Sequence, residues 1–450
     1  MRTRMLAGAR ARPPLAAALS LLAIVCFTTT MPAAAETLPQ YAQDTHLGVT
    51  NCAGSTCHGA VRPFKNSNVL QNEFVTWKKK DAHAEAYKVL LNDESKRIAR
   101  NLGLKSAQTA DICLDCHADN VTPGKRGKRF QMSDGVGCEA CHGGAKRYLG
   151  PHVDDPGHRE NIDLGLYPTD EPVARAKLCL SCHFGDNKKF VTHRIMGAGH
   201  PRLSFELDTF TAIQPAHYKI DKDYRNRKKV FDGVQVWAIG QARAVNQTLD
   251  ALVNPELHSG MFPELVLFDC QACHHPMDDI RWRPRATTGL GPGVVRLNDA
   301  NMIMLYHVVK GLSPDLAKQL RSATLKLHKS TTQGMSQTAK SAAELQKIAR
   351  EIEGRVAKHK FSADDVKRML NGVAAEGSKG EYFDYIAAEQ SVMAISALLS
   401  TLESSGAMKT KAGDPINNAL DALYGALEDE NRFKPGQFAS KMKAFQAALG

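Results

Sequence analysis

Beyond residue 290 apolar positions recur at steps of three and four. Ala342, Leu345, Ile348, Ile352 and Val356 form one such row, the signature of a helix with one buried face. Ser362 precedes a second helix, with Val366, Met369, Leu370 and Val373 on its apolar side. A long helix is predicted over 382–402. Asp414 with Pro415 reads as an N-cap and first helical residue, leading to Ile416, Leu420, Leu423 and Leu427. A last helix carries Phe438, Met442 and Phe445. Short connections favour antiparallel neighbours, so 291–450 is expected to be an antiparallel helical bundle. His328 and His359 read as surface residues there.

The stretch 36–290 has a different texture. Its clearest helix is predicted over 73–98, with Val75, Ala82, Ala86, Val89 and Leu90 near one face. Elsewhere short apolar pieces alternate with Gly- and Pro-rich connections, as between Gly124 and Gly157. The run from Arg281 to Gly293 reads as a linker. The expected fold class is mainly α, with little regular structure before residue 290 and a separate bundle after it.

The N-terminus follows a third pattern. Arg2, Arg4, Arg10 and Arg12 precede the apolar run Leu15–Phe27, and Pro32-Ala33-Ala34-Ala35 supplies small residues. That is the three-part arrangement of an export signal. The apolar run is shorter than the ~20 residues of a membrane span. Residues 1–35 are therefore expected to be removed, leaving an exported chain without a membrane span in a periplasmic compartment.

Cysteine placement supplies the chemistry. Apart from Cys26, the cysteines form five pairs, each followed at once by histidine. They are Cys52/Cys57 with His58, Cys113/Cys116 with His117, Cys138/Cys141 with His142, Cys179/Cys182 with His183, and Cys270/Cys273 with His274. Four are C-x-x-C-H, the attachment signal of c-type haem. The first has four residues between its cysteines, and Gly54 permits the extra bulge. Two thiols on one side of a short turn reach the two vinyl groups of one porphyrin, and the next imidazole lies beneath its iron. Zinc ribbons do not demand a histidine after each second cysteine, and a redox pair needs one motif, not five. Five covalent haem c groups are expected.

Haem also changes the meaning of the charge. The chain is +11, and loss of the four N-terminal arginines leaves +7. Each haem brings two propionates, so five would give about +2 oxidised and about −3 reduced. The basic excess thus reads as compensation for propionates, not as a nucleic-acid surface. Aromatic residues make up only 6%, lean for a large core, so the haems themselves are expected to fill much of it.

These motifs resemble those of the cytochrome c-554 and c-prime family of multihaem cytochromes, relatives of hydroxylamine oxidoreductase and cytochrome c nitrite reductase. The matching stretches are Cys52 to Gly59, Trp77 to Ala86, Gly137 to Gly143 and Gly197 to Leu203. The resemblance covers roughly 45–280 and implies stacked haems, mostly with two histidines on each iron. The chain departs from it in having five motifs, the longer first motif and the extra C-terminal helices. It also lacks the C-x-x-C-K motif of nitrite reductase catalytic haems.

Five second axial ligands are then needed. His83 matches the family's distal histidine. His152 lies ten residues past the third motif, where distal ligands occur in such cytochromes. His200 sits in a Gly-rich loop that lets backbone approach a porphyrin. His193, His275 and His46 complete the candidates. His275 cannot serve the iron of its neighbour His274. Met196 and Met277 are rival ligands, and His307 lies just past the linker.

Two functions follow. One is an electron carrier in a periplasmic respiratory pathway, with redox proteins as donor and acceptor. The other is an oxidoreductase acting on a small nitrogen or sulfur compound at one five-coordinate haem, with His217, Tyr218, Tyr224 or Arg225 as acid–base groups. The carrier is favoured, and no catalytic residue is assigned. A chain ending near Gly289 is expected to mature with all its haems, and the bundle to dock a partner or a second copy of the chain.

Overall fold

In a computed structural model of the chain the described residues are 37–65, 67, 69–154, 157–257, 263–274, 290, 294–411 and 413–450. The expected export signal, the linker apart from Leu290, His275 and Met277 lie outside them. Thr37–Gly450 clusters as one unit. Its described residues are mainly helical and contain no sheet, only isolated bridges such as His46 with Arg126 and Phe268 with Leu297. The mainly α class is what the structure shows.

The C-terminal periodicity becomes helices Met335–Val356, Ala363–Ser378, Tyr385–Ser404, Pro415–Gly425 and Pro435–Leu449. Their predicted apolar rows face inward. Ala342, Leu345, Ile352 and Val356 are buried, as are Phe438, Met442 and Phe445, each large side chain contributing about 1.5–3 kcal/mol. Ser362 caps its helix through a reciprocal box with Asp365, satisfying two otherwise orphaned amides. The Tyr385–Ser404 helix is long and apolar enough to cross a membrane, yet 78% of its apolar window is buried inside the protein, as in a core helix.

Two local expectations are corrected. The helix predicted over 73–98 is broken into Glu73–Lys80, one-turn pieces over 82–89, and Asp93–Asn101. Asp81 takes an extended conformation and caps the amide of His83, and Asn92 caps the later helix. Both are polar residues that bind backbone better outside a helix. His328 is fully buried, its Nδ1 2.9 Å from the Thr324 carbonyl. His307 is buried too, between Glu376 and Tyr382, each 3.1 Å from its Nε2.

One further element was not anticipated. Gly233–Val253 is one 21-residue helix, buried almost all round. A helix without a polar face has no 3.6-residue alternation to detect. It packs against Pro172–His183 and Leu207–Ile213 from the earlier half, and against Ala300–Leu312, Met335–Val356 and Tyr385–Ser404 from the later half. One apolar core runs from Ala176 to Phe445.

Candidate haem-binding site

Helix ends carry three of the motifs. His117, His142 and His183 are the last residues of Asp111–His117, Cys138–His142 and Pro172–His183. In each, cysteines three apart lie on one helical face and the histidine follows one turn after the first cysteine. Gly143 ends its helix at φ 83°, where a Cβ would overlap the Gly165 carbonyl oxygen. The longer first motif closes differently. Cys57 N donates to Gly54 O at 2.9 Å and His58 N to Cys52 O at 3.1 Å, so the extra residues form a turn and His58 returns to the start of the motif. At the fifth motif His274 N donates to Cys270 O at 2.8 Å.

None of the ten motif cysteines forms a disulfide, and eight of them are half-buried. Cys57 and Cys273 are exposed. The reason is local. Neither residue belongs to an α-helix that packs its thiol inward. Cys57 follows the extra turn of the long motif, and Cys273 only caps the short 3-10 turn Cys270–Ala272. The second cysteine of the first and fifth motifs therefore lies at the protein surface.

Every motif histidine faces a second imidazole. Ring centres are 6.2 Å apart for His58 and His152, 6.4 Å for His117 and His200, and 6.1 Å for His142 and His217. They are 6.2 Å apart for His183 and His83, and 6.0 Å for His274 and His193. A metal–imidazole bond is about 2 Å long, so two in line with half a ring at each end span about 6 Å. The residues present therefore fit one six-coordinate iron between each pair. Interplanar angles run from 14° for the first pair to 88° for His142 and His217.

Outer partners suit the same chemistry. A metal-bound histidine donates its other ring nitrogen to a carboxylate or carbonyl, which fixes the tautomer. His58 Nδ1 lies 3.0 Å from Glu73, and His83 Nδ1 lies 2.8 Å from Asp81. His117, His152 and His200 place Nδ1 3.1, 2.7 and 2.8 Å from the carbonyls of Ala86, Leu149 and Pro201. In all five the Nε2 atom is left for iron.

Electrostatics differ from pair to pair. Burial pushes His142 down to about 4, with His217 adding repulsion, and does the same to His183 with His83 opposite. Both are thus neutral imidazoles, the form that binds a metal. His58 and His83 are raised by their carboxylates. Burial alone would raise Asp81, but bonds from His83 and Gln214 hold it at about 2.

Of the distal candidates, His83, His152, His193 and His200 each face a motif histidine. His46 faces none. It is fully buried beside Asp119, with its Nδ1 2.7 Å from that carboxylate. His275 lies outside the described residues. Sequence reasoning missed His217 as a facing residue. It follows Gln214-Pro215 in a connection with no motif, and only the arithmetic of five irons pointed to a further histidine.

The motifs also meet one another. Cys182 Sγ of the fourth motif lies 3.9 Å from the Asp115 carbonyl inside the second. The fifth motif is fastened to the C-terminal helices. Asp269 binds Arg296 at 2.7 Å, and Arg296 reaches Asp384, the N-cap of Tyr385–Ser404, at 2.9 Å. Gln271 accepts from Tyr385 N at 3.1 Å. Arg202, two residues past His200, joins Glu389 and Glu430 at 3.2 and 3.1 Å.

Residues 51–143, which hold the first three motifs, match the family model described as cytochrome c554 and c-prime. Comparisons with curated proteins and with solved structures gave no match. The family binds haem c covalently, serves electron transfer or other haem-based redox chemistry, and is typically exported. The motif geometry and this match together support a c-type cytochrome, residues 51–143 being similar to the cytochrome c554 and c-prime family.

Proposed function

We propose that the protein is an exported pentahaem cytochrome that carries electrons along a chain of bis-histidine haems in a periplasmic respiratory pathway. The observation that carries this reading is the imidazole pair at all five motifs, at 6.0 to 6.4 Å. Bound haem supplies reversible one-electron chemistry. His58, His117, His142, His183 and His274 would each hold one iron through an imidazole, and His152, His200, His217, His83 and His193 would supply the second imidazole. With both positions filled by protein, no substrate needs to reach a metal, and the oxidoreductase reading loses the open site it requires. The approach of Cys182 Sγ to the Asp115 carbonyl, 3.9 Å, brings the second and fourth motifs together, as conduction demands. The exposure of Cys57 and Cys273 supports electron entry or exit at the first and fifth sites. Donor and acceptor are separate redox proteins.

Intact mass of the mature protein, with haem staining on a denaturing gel, tests the count. Five haems on a chain beginning at Glu36 are expected. Four would mean that the Cys52–Cys57 pair is not a haem site. All irons should be low-spin, and a high-spin ferric signal in the isolated protein would restore the oxidoreductase reading.

A further inference from the structure

Lys189 is a lysine held inside the protein, only 8% exposed. Its Nζ donates to Gln40 Oε1 at 2.6 Å, to the Asp115 carbonyl at 2.9 Å and to Cys182 Sγ at 3.2 Å. Three acceptors around one nitrogen call for three N–H bonds, which only the charged ammonium has. None of the three is a carboxylate. The two nearby carboxylates are engaged by neutral donors. Asp115 accepts from the amides of Gln40 at 2.9 Å and Asn120 at 2.7 Å. Asp186 accepts from the Tyr41 hydroxyl at 2.9 Å and from the backbone of Lys188 at 2.7 Å.

The position of this charge is what gives it a consequence. Cys182 belongs to the fourth motif, and its sulfur lies 3.9 Å from the Asp115 carbonyl in the second. Asp115, whose carbonyl holds the ammonium, sits inside the second motif. A thioether sulfur still accepts weakly, so the contact survives haem attachment. The cation therefore lies at the junction of two haem edges. Reduction adds one electron to an iron, and a fixed positive charge in a low-dielectric interior favours the reduced form.

We propose that Lys189 is a built-in potential-tuning charge that raises the reduction potentials of the haems at the second and fourth motifs and makes that pair the place where electrons collect. The proposal rests on the haem reading given above, and the mass measurement separates the two: it reports haem number whatever the potentials.

The test is a spectroelectrochemical titration of the holoprotein. In Lys189→Met and Lys189→Gln, with five haems by mass and unchanged low-spin spectra, two of the five midpoints should fall. The expected change is about tenfold in each reduction equilibrium, or about 59 mV for one electron. Lys189→Arg keeps the charge and should restore midpoints near those of the wild type. Unchanged midpoints in the neutral variants would overturn the proposal. So would an equal fall in Lys189→Arg, which would make the effect one of packing. Failure of both neutral variants to mature while Lys189→Arg matures would assign the cation to assembly and also overturn it.

Discussion

Replacing His217 with alanine is expected to convert one of the five haems from low to high spin. The ring of His217 lies 6.1 Å from that of His142, across the width of one iron. Its removal leaves that iron a single imidazole and an open position. The ferric spectrum should lose about a fifth of its low-spin amplitude, one haem's share, and gain a high-spin signal. Alanine at His83 or His200 should do the same at the fourth or second motif. His46 supplies the contrast. It faces no motif histidine, so His46→Ala should leave every haem low-spin. Its cost falls on stability, about 1–3 kcal/mol, because the Asp119 carboxylate loses a buried partner. Optical and electron paramagnetic resonance spectra of the two variants separate the roles. An unchanged spectrum for His217→Ala, or a high-spin haem in His46→Ala, would exchange the two assignments.

The contrast also shows where sequence reading ends. The five Cys-pair-His motifs are legible because the porphyrin dictates local spacing, and local spacing is written in the chain. The facing histidines are not, because each is brought to its iron by tertiary folding across many residues. His83 and His152 were found through a resemblance, His200 through its glycines. His217 and His46 look alike in sequence, each a lone histidine in an irregular connection. One faces His142 and the other is buried against Asp119. Burial of the motifs themselves is equally hidden. Cys182 and Cys273 stand in the same C-x-x-C-H pattern, yet the first lies in a packed helix and the second is exposed at the end of a short turn. The helices after residue 330 were legible for the opposite reason. Their buried faces alternate with solvated ones, so Phe438, Met442 and Phe445 mark the core directly. Gly233–Val253 escaped notice because it is buried on all sides.

That helix sets the second large expectation. A chain ending near Gly289 should fail to mature with five low-spin haems. The reason is how the Gly233–Val253 helix is covered. Val234, Trp237, Ile239, Val245, Leu249 and Leu252 are all essentially without exposure, and much of their cover comes from Ala300–Leu312, Met335–Val356 and Tyr385–Ser404. Burial of such side chains is worth about 1.5–3 kcal/mol each. Uncovering even half of this set costs an amount comparable with the ~5–15 kcal/mol that holds a typical domain together. The same cut removes Arg296 and Asp384, leaving Asp269 without its buried cation directly before Cys270. It also removes Tyr385, whose amide holds Gln271 inside the fifth motif. Breaking a buried pair from one side is among the more costly single losses, about 3–5 kcal/mol. With Cys273 exposed, the fifth motif has little packing of its own to fall back on. The fifth haem should therefore be the first to be lost or to turn high-spin, while the first three motifs, in segments far from these helices in sequence, keep theirs longest. Intact mass and spin-state spectra of the truncated chain give the answer. Five low-spin haems after truncation would show that the C-terminal helices are separable and return them to the role of a docking module. Loss beginning at Cys270–His274 would make them the scaffold on which the last haem is held.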